Sequence, residues 1–397
     1  MHVVAAPDKF RGTASAAEVA DAVVRGAHAA GGTGTALPMA DGGEGTLAVL
    51  GGANRRSTVT GPLGEPVEAG WRLEGTTAVI EMAAASGLLL AGGAEENQPL
   101  DATTAGTGEL VREAVEVGAR RVIVAVGGSA TTDGGLGALR AMGSSARYRS
   151  VELLVACDVR TRFTDAAEVF GPQKGASPAQ VEMLRRRLVR LAQQYEEDFG
   201  VDVVDLPRAG AAGGLAGGLA ALGAELVDGI DLVAEELGLD EVLEGADLMV
   251  TGEGQLDATS WEGKVVGGVS AYAAATGVPV LVVAGRILSG IRLLPASAGA
   301  SPRRHPMAVT IRIPTTLRPL TAGAGEVEVD GGTVGEALAA LEAAHPGFGS
   351  RILDEAGALR RFVNVFVSDE DVRFLDGLDT PVPDGGTVAI VPAVAGG

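Results

Sequence analysis

The stretch from Val122 to Gly137 most restricts what this chain can fold into. Residues 122–126 read Val-Ile-Val-Ala-Val, short, apolar and mostly β-branched. That pattern predicts a strand buried on both faces, as in a parallel sheet. The chain then turns to small residues: Gly127, Gly128, Ser129, Ala130, Thr131, Thr132, Asp133, Gly134 and Gly135. Without bulky side chains, backbone N–H groups can approach an anion closely. From Leu136 the pattern turns helical. The loop therefore sits where a strand ends and a helix begins, the place where open α/β sheets bind ligands. Spacing alone leaves open a plain glycine-rich connection.

The same alternation recurs from Val3 to Ala284. Val3–Ala6 predicts a short strand, ending in the charged loop Pro7-Asp8-Lys9-Phe10-Arg11. Ser15 and Glu18 form a capping box, opening a helix with Val19, Ala22, Val23 and Ala27 on one face. Ala36–Met39 predicts a strand before Asp41-Gly42-Gly43-Glu44, whose two carboxylates suit Mg²⁺ or a substrate hydroxyl. Ser57–Trp71 and Thr77–Glu81 read as strands. Thr107 reads as the N-cap of a helix through Val117, with Thr103 and Thr104 offering hydroxyls to an anion beside it. Arg140–Ser150 reads as irregular, and Val151–Ala156 as a strand ending at Cys157-Asp158. Ser177 caps a long helix to Phe199. Ala209–Gly218, nearly all Gly and Ala, is suited to packing backbone on backbone or to closing over a ligand. Leu248–Thr251 leads into Glu253 and Asp257, with Lys264 beyond, and Val278–Ala284 is the last strand of the series. Asp8, Lys9, Asp41, Glu44, Asp133, Asp158, Lys174, Glu253, Asp257 and Lys264 fall mostly after strands or at helix starts, which points to one site.

Charge narrows the partners. A formal net charge of -20 argues against nucleic acid and against an anionic membrane. It also means that a bound polyphosphate needs locally placed cations or metal. Cys157 is the single cysteine, which fits a reducing compartment. The first residues lack a signal-peptide pattern, and no apolar run reaches the roughly 20 residues of a membrane span. The expected location is cytoplasmic.

Beyond Pro302-Arg303-Arg304-His305-Pro306 the pattern starts afresh. Val309, Ile311 and Ile313 alternate with polar residues, and Glu326–Val329 completes a hairpin. Thr333 and Glu336 form a capping box for a helix carrying Val334, Leu338 and Leu341. Phe362–Val367 and Thr387–Val391 predict further strands, together an α+β roll. The chain ends in Gly396-Gly397, which would pass a narrow enzyme channel and present a carboxylate for adenylation. Asp369, Glu370, Asp371, Asp376 and Asp379 form an acidic set suited to a basic partner groove or simply to water.

These motifs carry two resemblances. Ala6-Pro7-Asp8-Lys9-Phe10, Asp41-Gly42-Gly43-Glu44-Gly45-Thr46, Ala102–Glu109, Gly127–Gly135, Phe170–Ala176 and Thr251–Asp257 resemble the type-1 glycerate kinases, in family order from Met1 to about Arg286. The resemblance implies an α/β two-domain kinase with mainly parallel sheets, moving the ATP γ-phosphoryl to D-glycerate with Mg²⁺. It implies catalytic Lys9, Asp41 and Asp133. Gly127, Gly128, Ser129, Thr131, Thr132, Thr104, Thr107 and Lys174 would bind substrate or phosphate. Asp41, Glu253 and Asp257 would hold metal. The chain departs from the family by a shortened stretch at Gly143–Ser150 and by an early end to the kinase pattern. Separately, Arg361–Val367, Asp369–Phe374 and Ile390–Gly397 resemble the ubiquitin-like sulfur carriers of the MoaD/ThiS family. That implies a C-terminal α+β β-grasp domain, an E1-like activating enzyme, a sulfur-accepting enzyme and a thiocarboxylate on Gly397. The expected organisation is 1–286 kinase-like, built of two intertwined subdomains, 287–307 linker and 308–397 carrier. The alternative is a non-catalytic carrier, serving cysteine or cofactor sulfur delivery, with a degenerate kinase half.

Overall fold

The computed structural model describes residues 1–261, 264–287 and, within 308–392, all but 322, 332, 354–358, 360–362, 368–369, 376 and 383–385. The expected linker from 288 onward, the Gly396-Gly397 terminus, Asp369 and Asp376 lie outside the described residues. The chain divides into two compact units, Met1–Ala296 and Ser297–Gly397.

In chain order the first unit has strands β1 His2–Ala5, β2 Thr33–Ala36, β3 Arg55–Thr60, β4 Pro66–Glu74, β5 Thr77–Glu81, β6 Arg121–Ala125, β7 Glu152–Cys157, β8 Glu225–Asp228, β9 Leu248–Leu256 and β10 Val280–Ile287. Its main helices are α1 Ala16–Ala29, α2 Ala105–Glu116, α3 Leu136–Met142, α4 Pro178–Phe199, α5 Leu215–Ala221, α6 Gly229–Glu236 and α7 Val265–Thr276. One sheet has the order β10-β9-β1-β2, all parallel. The other has the order β3-β4-β5-β6-β7-β8, with β5 to β8 parallel and β3 and β4 antiparallel at one edge. The chain starts in the first sheet, builds the whole second sheet, and returns through β9 and β10. Two lobes thus share one unit, and the α/β class with mainly parallel sheets holds.

Burial explains the placement. β6 is buried on both faces, as its unbroken apolar run requires. Trp71 is fully buried on β4, and its indole N–H donates to Ser57 Oγ at 2.9 Å. α4 turns Leu184, Leu188, Leu191, Ala192 and Tyr195 inward, and its Ser177–Gln180 capping box is formed at both ends. The Ser15–Glu18 capping box also forms, but α1 buries Ala16, Ala20 and Ala27, while Ala22 faces solvent. Arg140–Ser150 is not irregular. Leu139 and Met142 carry α3 through Met142, and a 3₁₀ turn at Ser145–Tyr148 follows. Tyr148 is buried there, its hydroxyl donating to the Met142 carbonyl at 3.0 Å. Among the described residues β10 is an edge strand, with Leu281, Val283 and Ile287 exposed.

The second unit has β11 Ala308–Arg312, β12 Glu326–Asp330, helix α8 Val334–Ala344, β13 Val363–Val367, β14 Glu370–Asp371 and β15 Thr387–Pro392. The order is β12-β11-β15-β13-β14, with β11 and β15 parallel at the centre and the remaining pairs antiparallel. The hairpin, the crossing helix and the returning central strand make a β-grasp. Val309, Ile311, Val334, Leu338, Leu341, Val365, Val388 and Ile390 fill its core. The Thr333 hydroxyl accepts from the Glu336 N–H at 3.3 Å, capping α8 as its sequence predicts.

Candidate active site

The carboxyl ends of β1, β2, β6, β7 and β9 deliver loops to a cleft between the two lobes of the first unit. Close backbone contact forms the base of this cleft. Gly42 has φ +86°, and a Cβ there would stand 2.6 Å from Gly229 Cα and 3.0 Å from Ala156 Cβ. Its carbonyl accepts from the Val126 N–H at 3.1 Å, which ties the loop after β2 to the end of β6.

Four carboxylates come to this place. Asp8 follows β1, and its N–H donates to the Gly252 carbonyl on β9 at 2.8 Å. Burial, then repulsion from Asp41, pushes the Asp8 carboxyl up to about 6. Asp158 follows β7 and is pushed up to about 6 by burial and, again, by Asp41. Asp41 accepts from the Gly43 N–H at 3.2 Å. Glu253 lies on β9, with Oε1 buried and without a hydrogen-bond partner. Burial raises its carboxyl, against the pull of Ser260 and Lys264. Glu81, at the end of β5, is spent on structure: its Oε1 accepts from the N–H groups of Gly45 and Leu47, both at 2.8 Å.

Cations stand opposite. Lys9 donates to the Glu44 carbonyl and has the Glu44 carboxylate 3.8 Å away. Arg11, Gly127, Gly128, Ser129, Asp158 and Lys174 line a cavity of about 370 Å³. A neighbouring one of about 550 Å³ is lined by Asp8, Lys9 and Glu44, among others. Lys174 is 3% exposed, and its ammonium donates to the Thr131 carbonyl at 2.6 Å. Burial pushes that ammonium down to about 7.

The structure thus unites Lys9, Asp41, Gly127, Gly128, Ser129, Lys174 and Glu253. It also brings in Asp8, Asp158 and Arg11, which carry no assigned role in the sequence reading. Their signal was position, at the carboxyl end of a strand. Asp257 follows β9 and adds to the charge that Glu253 feels, and its N–H donates to the Ser260 hydroxyl oxygen at 3.0 Å.

Asp133, Thr104 and Thr107 are placed differently. Asp133 Oδ2 accepts from Thr104 N–H at 2.9 Å, Thr104 Oγ1 at 2.8 Å and Gly137 N–H at 3.1 Å, and Oδ1 accepts from Gly135 N–H at 3.1 Å. Thr104 Oγ1 in turn accepts from the Ala138 N–H at 2.9 Å. Together they clamp the starts of α2 and α3. Thr104, not Thr107, stands at the N-cap of α2; Thr107 lies in its first turn, buried, with its hydroxyl 2.9 Å from that of Ser86. Thr131 and Thr132 are buried with unpartnered hydroxyls. The small-residue segment settles backbone on backbone, since a Cβ on Gly213 would meet the Thr131 carbonyl oxygen at 2.0 Å.

Among the described residues, no group of three or more His, Cys, Asp and Glu is set to hold a metal ion unaided. An unpartnered buried Glu253 oxygen and two carboxyls raised by burial and by repulsion from Asp41 do fit a cation shared with a ligand. Mg²⁺ is commonly held this way, by one or two carboxylates plus phosphate oxygens.

Carboxylates and cations around a glycine-rich loop, at the carboxyl ends of parallel strands in two lobes, define an α/β enzyme that handles an anionic substrate. The chain belongs to the glycerate kinase family, whose model matches residues 3–147 and 144–301. The ThiS family model matches residues 311–397. Glycerate 2-kinase of Escherichia coli is 40% identical over 331 residues, covering 73% of this chain and 87% of its own length. A crystal structure described as glycerate kinase 2 from Salmonella typhimurium LT2 is 38% identical with a TM-score of 0.66, covering 72% of this chain and 90% of that one. The Amycolatopsis orientalis BexX/CysO complex contains a chain 51% identical, covering 23% of this chain and 100% of that one, with a TM-score of 0.22. The kinase match runs beyond Arg286, and it breaks at 144–147, at the turn between α3 and β7. The β6–β7 pairing is intact across that shortened join. No helix among the described residues is long and apolar enough to cross a membrane.

Proposed function

We propose that the first unit is a working glycerate kinase, transferring the γ-phosphoryl of ATP to a hydroxyl of D-glycerate. The observation that carries this is the meeting of Asp8, Asp41, Asp158 and Glu253 with Lys9, Arg11 and Lys174 around Gly127–Ser129 in a chain of that family. Phosphoryl transfer asks mainly for positioning and charge neutralisation. Gly127, Gly128 and Ser129 present backbone to phosphate or carboxylate oxygens, and Lys174, Lys9 and Arg11 offset their charge. Asp41 orients the attacking hydroxyl and takes its proton as the new O–P bond forms and the bond to ADP breaks. Glu253 on β9 and Asp8, in the loop after the adjoining β1, would hold Mg²⁺ together with the nucleotide. That ion would supply neutralisation of the triphosphate charge.

The ThiS match supports a sulfur-carrier role for the second unit, with Gly397 thiocarboxylated after activation by an E1-like enzyme and sulfur passed to an accepting enzyme. The first test is ADP release by the full chain with D-glycerate and Mg-ATP. Steady turnover that falls at least a hundredfold in Asp41→Asn supports the reading. A folded sample without turnover overturns it. For the carrier, intact mass after incubation with an activating enzyme, ATP and sulfide should show one sulfur-for-oxygen exchange, absent when Gly397 is deleted.

A further inference from the structure

A third cavity, of about 410 Å³, shares no lining residue with the two cleft cavities. It lies between α3, α4 and the loop at 99–103. Its volume falls in the range of small-ligand pockets. Arg140 of α3 and Arg187 and Arg190 of α4 line it. In a chain of net charge -20, three guanidinium groups converging on one cavity need an explanation. Elsewhere on α4 the arginines are neutralised: Arg185 and Arg186 hold Glu182 at 2.9 and 2.7 Å. Arg187 donates to the Leu100 carbonyl at 2.7 Å, and neither Arg140 nor Arg190 has an ion-pair partner among the described residues.

Two acids also line the cavity. Asp133 is already satisfied by four donors from its own loop and from Thr104. Asp101 is exposed and pairs with none of the three arginines. A separate feature points to a ligand. Thr132 lines the cavity, is 2% exposed, and its hydroxyl has no partner in the protein. Leu188 and Leu191, both buried, give the cavity an apolar floor. Guanidinium groups match phosphate oxygens with paired N–H donors.

We propose that this cavity is an accessory site for a small organic phosphate, the arginines taking the phosphate and the leucine floor its apolar body. Thr131 and Thr132 belong to the same loop as Gly127–Ser129, so an occupant would touch the far end of the loop that lines the cleft. The site does not depend on the kinase reading, because its test is binding.

The experiment is calorimetric titration of the full chain with phenyl phosphate at low ionic strength, with benzyl alcohol and inorganic phosphate as comparison probes. Phenyl phosphate should bind, more tightly than inorganic phosphate, and benzyl alcohol should not. The double variant Arg140→Ala/Arg190→Ala should weaken binding at least tenfold while keeping its melting temperature and its basal ADP release. Arg185→Ala/Arg186→Ala removes the same charge from neutralised positions and should leave binding unchanged. Equal loss in both double variants would reduce the effect to long-range charge and sink the proposal. So would undiminished binding in Arg140→Ala/Arg190→Ala, or no binding of phenyl phosphate at millimolar concentration.

Discussion

Asp8 and Asp158 hold carboxyls that burial and Asp41 push up to about 6. A carboxylate raised in the folded state binds more protons folded than unfolded between its two pKa values. Its contribution is therefore present below the unfolded value and lost as pH rises through about 6. At neutral pH these groups carry their charge at a cost to the free protein, which a bound cation would offset. Asp8→Asn should stabilise the ligand-free chain at pH 8, by roughly 1–2 kcal/mol, while lowering turnover. Melting curves with and without Mg-ATP check this; a lower melting temperature would count against the electrostatic account. Lys174 obeys the opposite sign. Its ammonium, pushed down to about 7, is unbound in the folded state over a range where the unfolded chain still holds the proton. Stability should therefore rise as pH climbs from 7 toward 10. Lys174→Met should flatten that rise and raise the KM for the anionic substrate more than tenfold, read from denaturation at several pH values and from initial rates.

Elements place these residues by close backbone packing. The segment from Arg208 to Gly218 has Arg208 and Ala212 at φ +73° and +52°, and Gly213 at +67°. Gly213 presses on the Thr131 carbonyl so closely that a methyl group has no room. Gly213→Ala should cost roughly 3 kcal/mol or more, since it adds a left-handed strain to a clash. It should also cut turnover by displacing Thr131, the acceptor of the Lys174 ammonium. Urea denaturation and kinetics together test it. Full activity in that variant would show that the packing does not position the loop. α4 supplies a contrasting case: Leu188→Ala, at a fully buried side chain that lines neither cleft cavity, should lose about 2–5 kcal/mol with kcat unchanged per folded molecule.

At the scale of the molecule, each unit has its own core. Residues 308–397 expressed alone should therefore fold, giving dispersed amide resonances and a single cooperative transition. A broad, collapsed spectrum would show that the β-grasp depends on the rest of the chain.

Much of this was legible in the residues. The run at 122–126, the two capping boxes Ser15–Glu18 and Ser177–Gln180, and the hairpin at 309–329 are local signals. Strand burial, cap chemistry and period-two alternation are written within a few neighbouring positions. So were Asp41, Glu253 and the glycine-rich loop, because ends of parallel strands converge whatever their order. The sequence alone could not rank the carboxylates. Asp133 sits in the most suggestive motif, yet its oxygens are taken by N–H groups of Thr104, Gly135 and Gly137. Asp8 and Asp158, less conspicuous, are the ones burial drives up. Nor could it tell that Gly213 closes on Thr131, that Thr104 rather than Thr107 stands at the start of α2, or that a short 3₁₀ turn rejoins β6 and β7. Those outcomes depend on which backbone atoms meet across hundreds of residues, and on how much water each side chain loses there. Local pattern determined the elements and the two-part organisation. Long-range packing and desolvation decided which of the polar residues remain available for chemistry.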